Sequence, residues 1–388
     1  MNLSSLDTPA AIIDLTAMQR NIQRMQSRMD ALGVAFRPHV KTSKCERVVD
    51  AQRAAGARGI TVSTLKEADQ FFAAGIDDIV YAVAMAPNRL AHAMSLRQRG
   101  CDLKIITDSV PGAEAIARFG REHGERFEVW IEVDVDGHRS GIEPDDARLI
   151  DVGRTLHEGG MTLGGVLAHA GSSYEYDTAE ALQRIAETER AGCVRAAERL
   201  RAAGLPCAVV SIGSTPTALH ARHLEGVTEV RAGVYVFFDL VMHNVGVCAV
   251  PDIALSVLTT VIGHQENKGW AIVDAGWMAM SRDRGTQRQK HDFGYGLVCS
   301  EDGVPVPGYV MRAANQEHGI VSCVDGVDGV DGVDGVDGAD EDIAARFPIG
   351  TRLRIVPNHA CATGAQHPVY HALSANGEVI EWPRFYGW

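Results

Sequence analysis

Eight apolar, β-branched runs recur between residues 33 and 237, and all but the last are followed by a stretch with helical spacing. The runs are 33–40, 59–64, 78–84, 103–107, 127–135, 163–169, 208–212 and 229–237; helical stretches lie at 44–55, 65–74, 87–99, 110–123, 145–159 and 178–203, with a short one from Pro216. Continuous apolar runs suit strands buried on both faces, and parallel strands of that kind need helical crossovers to connect them. Eight such units over ~240 residues match a (β/α)8 TIM-type barrel. The rival is a doubly wound open sheet. The count of eight, and the absence of G-x-G-x-x-G after the first strand, favour the barrel.

Beyond Pro251 the texture changes to alternating, turn-separated segments such as Ile253–His264, Gly269–Val273, Arg352–Pro357 and Val369–Ala372. The expected organisation is therefore an α/β barrel over 1–250 and an antiparallel β-domain over 251–388, with the short strand in residues 1–15 able to join the second domain. Val324-Asp325-Gly326 recurs to Gly338 as an acidic, glycine-rich insertion, expected to be a flexible hairpin; it lacks proline for a collagen helix, and its period of three differs from that of calcium loops. A formal net charge of −13 argues against nucleic-acid and anionic-membrane partners. No apolar run approaches the ~20 residues of a membrane helix, so the expected location is the cytoplasm. The eight cysteines are scattered and read as thiols rather than a disulfide framework.

In a barrel, functional residues collect where strands end. Lys41 falls at the end of the first run, within Pro38-His39-Val40-Lys41-Thr42, and a lysine there is a candidate Schiff-base anchor for pyridoxal phosphate. Gly213-Ser214-Thr215-Pro216 and Gly233-Val234-Tyr235 follow strands seven and eight, where barrels commonly hold phosphate. His169 and Tyr174 follow strand six and bring an imidazole and a phenol to the same end; a core histidine and a packing tyrosine are the alternative. Arg139, in Gly137-His138-Arg139-Ser140-Gly141, and His318, in Gln316-Glu317-His318-Gly319, are candidate substrate contacts. His359-Ala360-Cys361 sets two metal-ligand types two residues apart, a pair meaningful only beside a catalytic site.

Pro-His-x-Lys-Thr, His-Arg-Ser-Gly, Ala-Gly-Val-Tyr, Gln-Glu-His-Gly and Asn-His-x-Cys together resemble the alanine-racemase-like, fold-type III pyridoxal phosphate enzymes. Within these the chain is most similar to the D-serine dehydratase and D-threonine aldolase group, the likeness covering nearly its whole length. The resemblance implies pyridoxal phosphate joined to Lys41 and held by Gly213, Ser214, Thr215, Gly233 and Tyr235, and a divalent metal on His359 and Cys361, with zinc favoured over manganese or magnesium. It implies a dehydratase that turns a D-configured 3-hydroxy amino acid into a keto acid and ammonia, acting as a homodimer. Aldolase members of the group carry aspartate where Cys361 stands, which favours dehydration over aldol cleavage. D-serine dehydration and D-threonine cleavage are the alternatives on the same scaffold; a non-catalytic pyridoxal phosphate carrier would need neither a second domain nor a metal.

Overall fold

The computed structural model describes residues 1–324 and 342–387; the Val-Asp-Gly repeat falls, from Asp325 onward, outside the described residues. Chain contacts divide the protein into two units, one of residues 23–233 with 385–388 and one of residues 1–22 with 234–384. The division at Gly233/Val234 lies upstream of Pro251, and the N-terminal residues belong to the second unit.

The N-terminal strand β1 (Ala10–Asp14) leads into helix α1 (Leu15–Ala31), whose start Asp14 caps by accepting the Ala17 N–H at 2.9 Å. The first unit contains β2 (Ala35–Pro38), β3 (Ile60–Val62), β4 (Asp78–Ala84), β5 (Asp102–Thr107), β6 (Glu128–Val133), β7 (Thr162–Ala168), β8 (Val209–Ile212) and β9 (Glu229–Ala232). All pair in parallel in the order β2-β9-β8-β7-β6-β5-β4-β3. An isolated bridge between His39 and Thr61, with Val40 N–H donating to Thr61 O at 2.9 Å, joins β2 to β3 and closes the barrel. The crossovers are α2 (Glu46–Ala54), α3 (Leu65–Ala73), α4 (Leu90–Gln98), α5 (Val110–His123), α6 (Arg148–Glu158), α7 (Ala179–Ala202) and α8 (Thr215–His220). Hydroxyl caps start several of them: Thr64 accepts from Glu67 N, Ser109 from Gly112 N and Thr178 from Ala181 N.

Val80, Ile106, Trp130 and Leu167 form one buried apolar cluster contributed by β4 to β7. Beside it runs a polar column. Arg37, 6% exposed, donates to Glu229 Oε2 at 2.9 Å and to both Asp78 oxygens at 2.8 and 3.1 Å. Ser211 Oγ donates to Glu229 Oε1 at 2.6 Å, and Arg231 reaches Ser211 Oγ and, at 2.7 Å, Ala168 O. Glu229 and Arg231 are two residues apart on β9, so both face one side of the strand.

The second unit is a nine-stranded sheet that adds β10 (Leu255–Gln265), β11 (Trp270–Val273), β12 (Gly296–Ser300), β13 (Pro305–Ala314), β14 (Gly319–Cys323), β15 (Arg352–Pro357), β16 (Val369–Leu373) and β17 (Val379–Pro383) to β1. β1 lies between β10, antiparallel, and β16, parallel. The unit also holds the short helices α9 (Leu240–Val245), α10 (Trp277–Met280), α11 (Ile343–Arg346) and α12 (Ala360–Gly364). One of its core clusters gathers Val257, Val273, Met311, Tyr309, Phe347 and Ile355. Among the described residues no disulfide forms, and no helix is long and apolar enough to cross a membrane.

Candidate active site

Two regions gather the candidate residues, one in each unit. In the barrel, Lys41 is exposed in the turn that follows β2. The helix expected from residue 44 begins instead at Glu46, because Lys44 takes a positive φ of 44°, and its carbonyl accepts the Phe385 N–H at 2.7 Å. The Lys44 ammonium is committed to Glu67: Nζ lies 2.9 Å from Oε1, with side chains 14% and 1% exposed. Two lysines three residues apart thus differ in kind, one exposed at a strand end and one locked in a buried ion pair.

His169 directly follows β7 and donates its Nδ1–H to the Gly213 carbonyl at 2.9 Å, which leaves Nε2 as the acceptor nitrogen. Burial, then Arg139, push it down to about 3; the Gly213 bond only partly opposes them, and Lys41 and Arg231 add to the fall. His39 is also held well below the ordinary imidazole value, by burial first and then by Lys41, Arg231, His169 and Arg139. Burial is the main cause for both imidazoles, and Lys41, Arg139 and Arg231 are the cations near them. Tyr174 lies in the turn Gly171–Glu175, its ring centroid 6.1 Å from that of His169.

Gly213 has φ +131°, and a Cβ there would meet Arg231 O at 2.3 Å; one at Gly233 would meet His39 O at 2.9 Å. Only glycine permits these close backbone approaches. Ser214 caps α8 in a reciprocal box with Thr217, so its N–H goes to Thr217 Oγ1 at 3.0 Å, while the Gly213 N–H goes to Glu189 Oε1 at 3.1 Å. Both donors are thus used internally, and Gly213 and Ser214 shape the turn that presents Thr215. Arg139 is exposed in the loop after β6.

The expected eighth strand stops at Ala232, in the first unit, and in the second unit Tyr235 lies buried in the short turn Val234–Val236. His318 is exposed between β13 and β14. His359 precedes α12 and Cys361 sits in its first turn. The His359 Nδ1–H donates to Asp283 Oδ2 at 2.6 Å, and the same imidazole hydrogen-bonds Cys361. Burial opposes the charged ring, but Asp283, Cys361 and Asp239 together raise it to about 11, and the His359 bond in turn holds the Asp283 carboxyl below its usual range. Asn358, 2% exposed, donates to Asp283 O at 3.2 Å and Gly294 O at 2.7 Å, and Asp239 accepts the Ala360 N–H at 2.9 Å, so the segment on both sides of His359 is fixed. Among the described residues no group of three or more His, Cys, Asp or Glu could hold a metal ion.

The model of the alanine racemase N-terminal domain matches residues 13–241. The chain belongs to the alanine racemase-like, fold-type III family. A second model, of a serine dehydratase domain, matches residues 254–373 of this family member. It is 70% identical over 387 residues to the D-threo-3-hydroxyaspartate dehydratase of Delftia sp. (strain HT23), covering 100% of this chain and 99% of that one. It is 27% identical to the D-serine dehydratase of Dictyostelium discoideum, over 98% and 96% of the two chains. The solved structure of the Delftia enzyme superposes with a TM-score of 0.96 over 100% of both chains. Two variants of that dehydratase superpose equally well, one with a histidine and one with a cysteine two residues later replaced by alanine, the latter in a metal-free form.

Asp283 and Glu189 had escaped the sequence reading. Asp283 stands 76 residues before its partner in a polar run, with no spacing that could reveal it. Glu189 had a visible signal: a carboxylate in phase with the apolar stripe Leu182, Ile185, Ala186, Cys193.

Proposed function

We propose that the chain is a pyridoxal phosphate- and divalent metal-dependent dehydratase that converts D-threo-3-hydroxyaspartate to oxaloacetate and ammonia. The full-length 70% identity to an enzyme of that activity carries the reading. The site residues fit both groups. Lys41, Arg139 and Arg231, the cations that act on His39, suit a dianionic phosphate and a dicarboxylate substrate, and the turns at Gly213 and Gly233 come so close to neighbouring backbone that only glycine fits there. In this reading Lys41 joins the cofactor, Gly213 and Ser214 shape the turn under its phosphate, and Thr215 and Gly233 complete the phosphate site of the first unit. In the first unit His169 and Tyr174 face the ring and Arg139 contacts substrate; in the second unit His359 and Cys361 hold the metal.

Bound pyridoxal phosphate supplies an electron sink for the pair left on Cα, and the metal supplies a Lewis acid for a poor leaving group, hydroxide. Lys41 moves the Cα proton with its ε-amine. His169, neutral through burial and neighbouring cations, offers an acceptor at Nε2 and no competing charge. Asp283 takes the His359 Nδ1–H, so a metal would be held by Nε2 in place of the hydrogen bond that this nitrogen makes to Cys361. Loss of water followed by hydrolysis returns the same water, so the net products are one oxaloacetate and one ammonia.

A D-serine dehydratase or a D-threonine aldolase is the second reading, favoured by relatives of those activities at 27% and 28% identity. Zinc as the metal, a homodimer and a cytoplasmic location belong to the same proposal. The test is one metal-reconstituted preparation assayed with 3-hydroxyaspartate, D-serine and D-threonine. Oxaloacetate and ammonia from the first, at the highest kcat/KM, support the reading; glycine and glyoxylate from it would overturn the dehydratase in favour of an aldolase.

A further inference from the structure

Helix α7 carries a carboxylate on its buried, otherwise apolar stripe. Glu189 lies in phase with Leu182, Ile185, Ala186, Cys193 and Ala196 and is itself fully buried. Burying such a group costs more than burying an apolar side chain, unless it makes bonds that an apolar side chain cannot. Its Oε1 accepts two backbone N–H groups, from Ala170 at 2.8 Å and from Gly213 at 3.1 Å. These belong to different strand ends: Ala170 follows His169 beyond β7, and Gly213 follows β8. The His169 Nδ1–H to Gly213 O bond of 2.9 Å closes a ring of Glu189, the Gly213 peptide, the His169 side chain and the Ala170 peptide. Beside it, Ser173 Oγ meets Ser214 Oγ at 2.8 Å. Gly213, at φ +131°, has no side chain with which to fix its own orientation, so its partners must do so.

We propose that Glu189 is a positioning residue for the cofactor's phosphate. By gripping the Gly213 and Ala170 N–H groups it fixes the turn that presents Thr215 before the cofactor arrives. The inference rests on the reading that the Gly213–Thr215 turn receives the phosphate. Glu189 touches neither substrate nor the reacting atoms. Its effect is preorganisation, which appears as affinity for the phosphate-bearing cofactor.

The test is equilibrium binding to cofactor-free full-length protein, with pyridoxal phosphate and with pyridoxal, which lacks the phosphate, as probes. Glu189→Leu is expected to weaken pyridoxal phosphate at least tenfold and leave pyridoxal unchanged, while Glu189→Gln, which keeps an acceptor oxygen, restores most of the loss. Should Glu189→Leu fail to fold, Glu189→Asp pulls the carboxylate back by one methylene, and the same narrowing of the preference for pyridoxal phosphate over pyridoxal is expected. Unchanged pyridoxal phosphate affinity in a folded Glu189→Leu or Glu189→Asp protein, or equal weakening of both probes, would overturn the role. Gly213→Ala, which drives a Cβ to 2.3 Å from Arg231 O, separates the two layers of the argument. If it weakens pyridoxal phosphate and Glu189→Leu does not, the role of Glu189 is wrong and the phosphate reading stands; if neither variant weakens it, the phosphate reading fails.

Discussion

Replacing Lys44 with methionine should cost stability and spare the cofactor, and replacing Lys41 with alanine should do the reverse. Lys44→Met keeps much of the side-chain volume and removes only the ammonium, so the perturbation falls on Glu67. That carboxylate is 1% exposed, loses a partner at 2.9 Å, and keeps the Ser63 N–H at 2.6 Å. Breaking one side of a buried pair generally costs about 3–5 kcal/mol. Read by urea unfolding, with m of ~3 kcal/mol/M for a large unit, about 3 kcal/mol lowers the midpoint by about 1 M. Lys41 is exposed and its removal should shift stability by no more than ~0.5 kcal/mol. The assay pairs urea unfolding with the visible absorbance of the lysine-linked cofactor, and borohydride reduction followed by peptide mapping. The reasoning is refuted if Lys44→Met unfolds at the wild-type midpoint, or if the pyridoxyl group maps to Lys44 instead of Lys41.

Chelation, or Cys361→Ala, should abolish ammonia release yet leave the visible cofactor absorbance intact, with zinc restoring only the chelated wild type; full turnover without metal would send His359 and Cys361 back to ordinary turn chemistry. Asp283→Asn should lower metal affinity by about 10–100-fold without changing the fold, measured by competition with a chelating dye. His169, pushed down to about 3, stays neutral in the folded protein while the unfolded chain takes up a proton below about pH 6.5. Its contribution is therefore fully present above that value and is lost as pH falls from about 6.5 towards 3. In cofactor-free protein, NMR should show a neutral His169 ring down to pH 5, and His169→Asn should flatten the acid limb of the stability curve.

The barrel was legible because its strands are short apolar runs that alternate with amphipathic helices, and the eight runs correspond to β2 through β9. The β-domain strands were legible for the complementary reason: they alternate and are punctuated by turns. What escaped was set by distant partners. Helix α2 starts late because Lys44 is turned to positive φ and bonded to Phe385, a residue at the other end of the chain. Tyr235 leaves the strand because the chain turns at Gly233, and no apolar periodicity marks that event. The pair His359 and Cys361 was visible as a spacing of two, whereas Asp283, which orients the imidazole, becomes visible only when β12 and β15 pair and bring their flanking segments together.

The placement of β1 also governs how the chain can be made. Ile12 pairs with Ser256 on one side and His371 on the other, so the strand Ala10–Asp14 leaves the ribosome long before either neighbour exists. At ~5–20 residues per second the wait for β10 is roughly 12 to 50 seconds. Residues 23–233 are complete within that interval and can fold while the nascent chain is still growing. The leading segment, with Ala11, Ile12 and Ile13 destined for zero exposure, spends it as an unsatisfied sticky end. A trigger-type chaperone that shields nascent apolar segments should therefore raise the yield of active enzyme, chiefly by guarding the first fifteen residues.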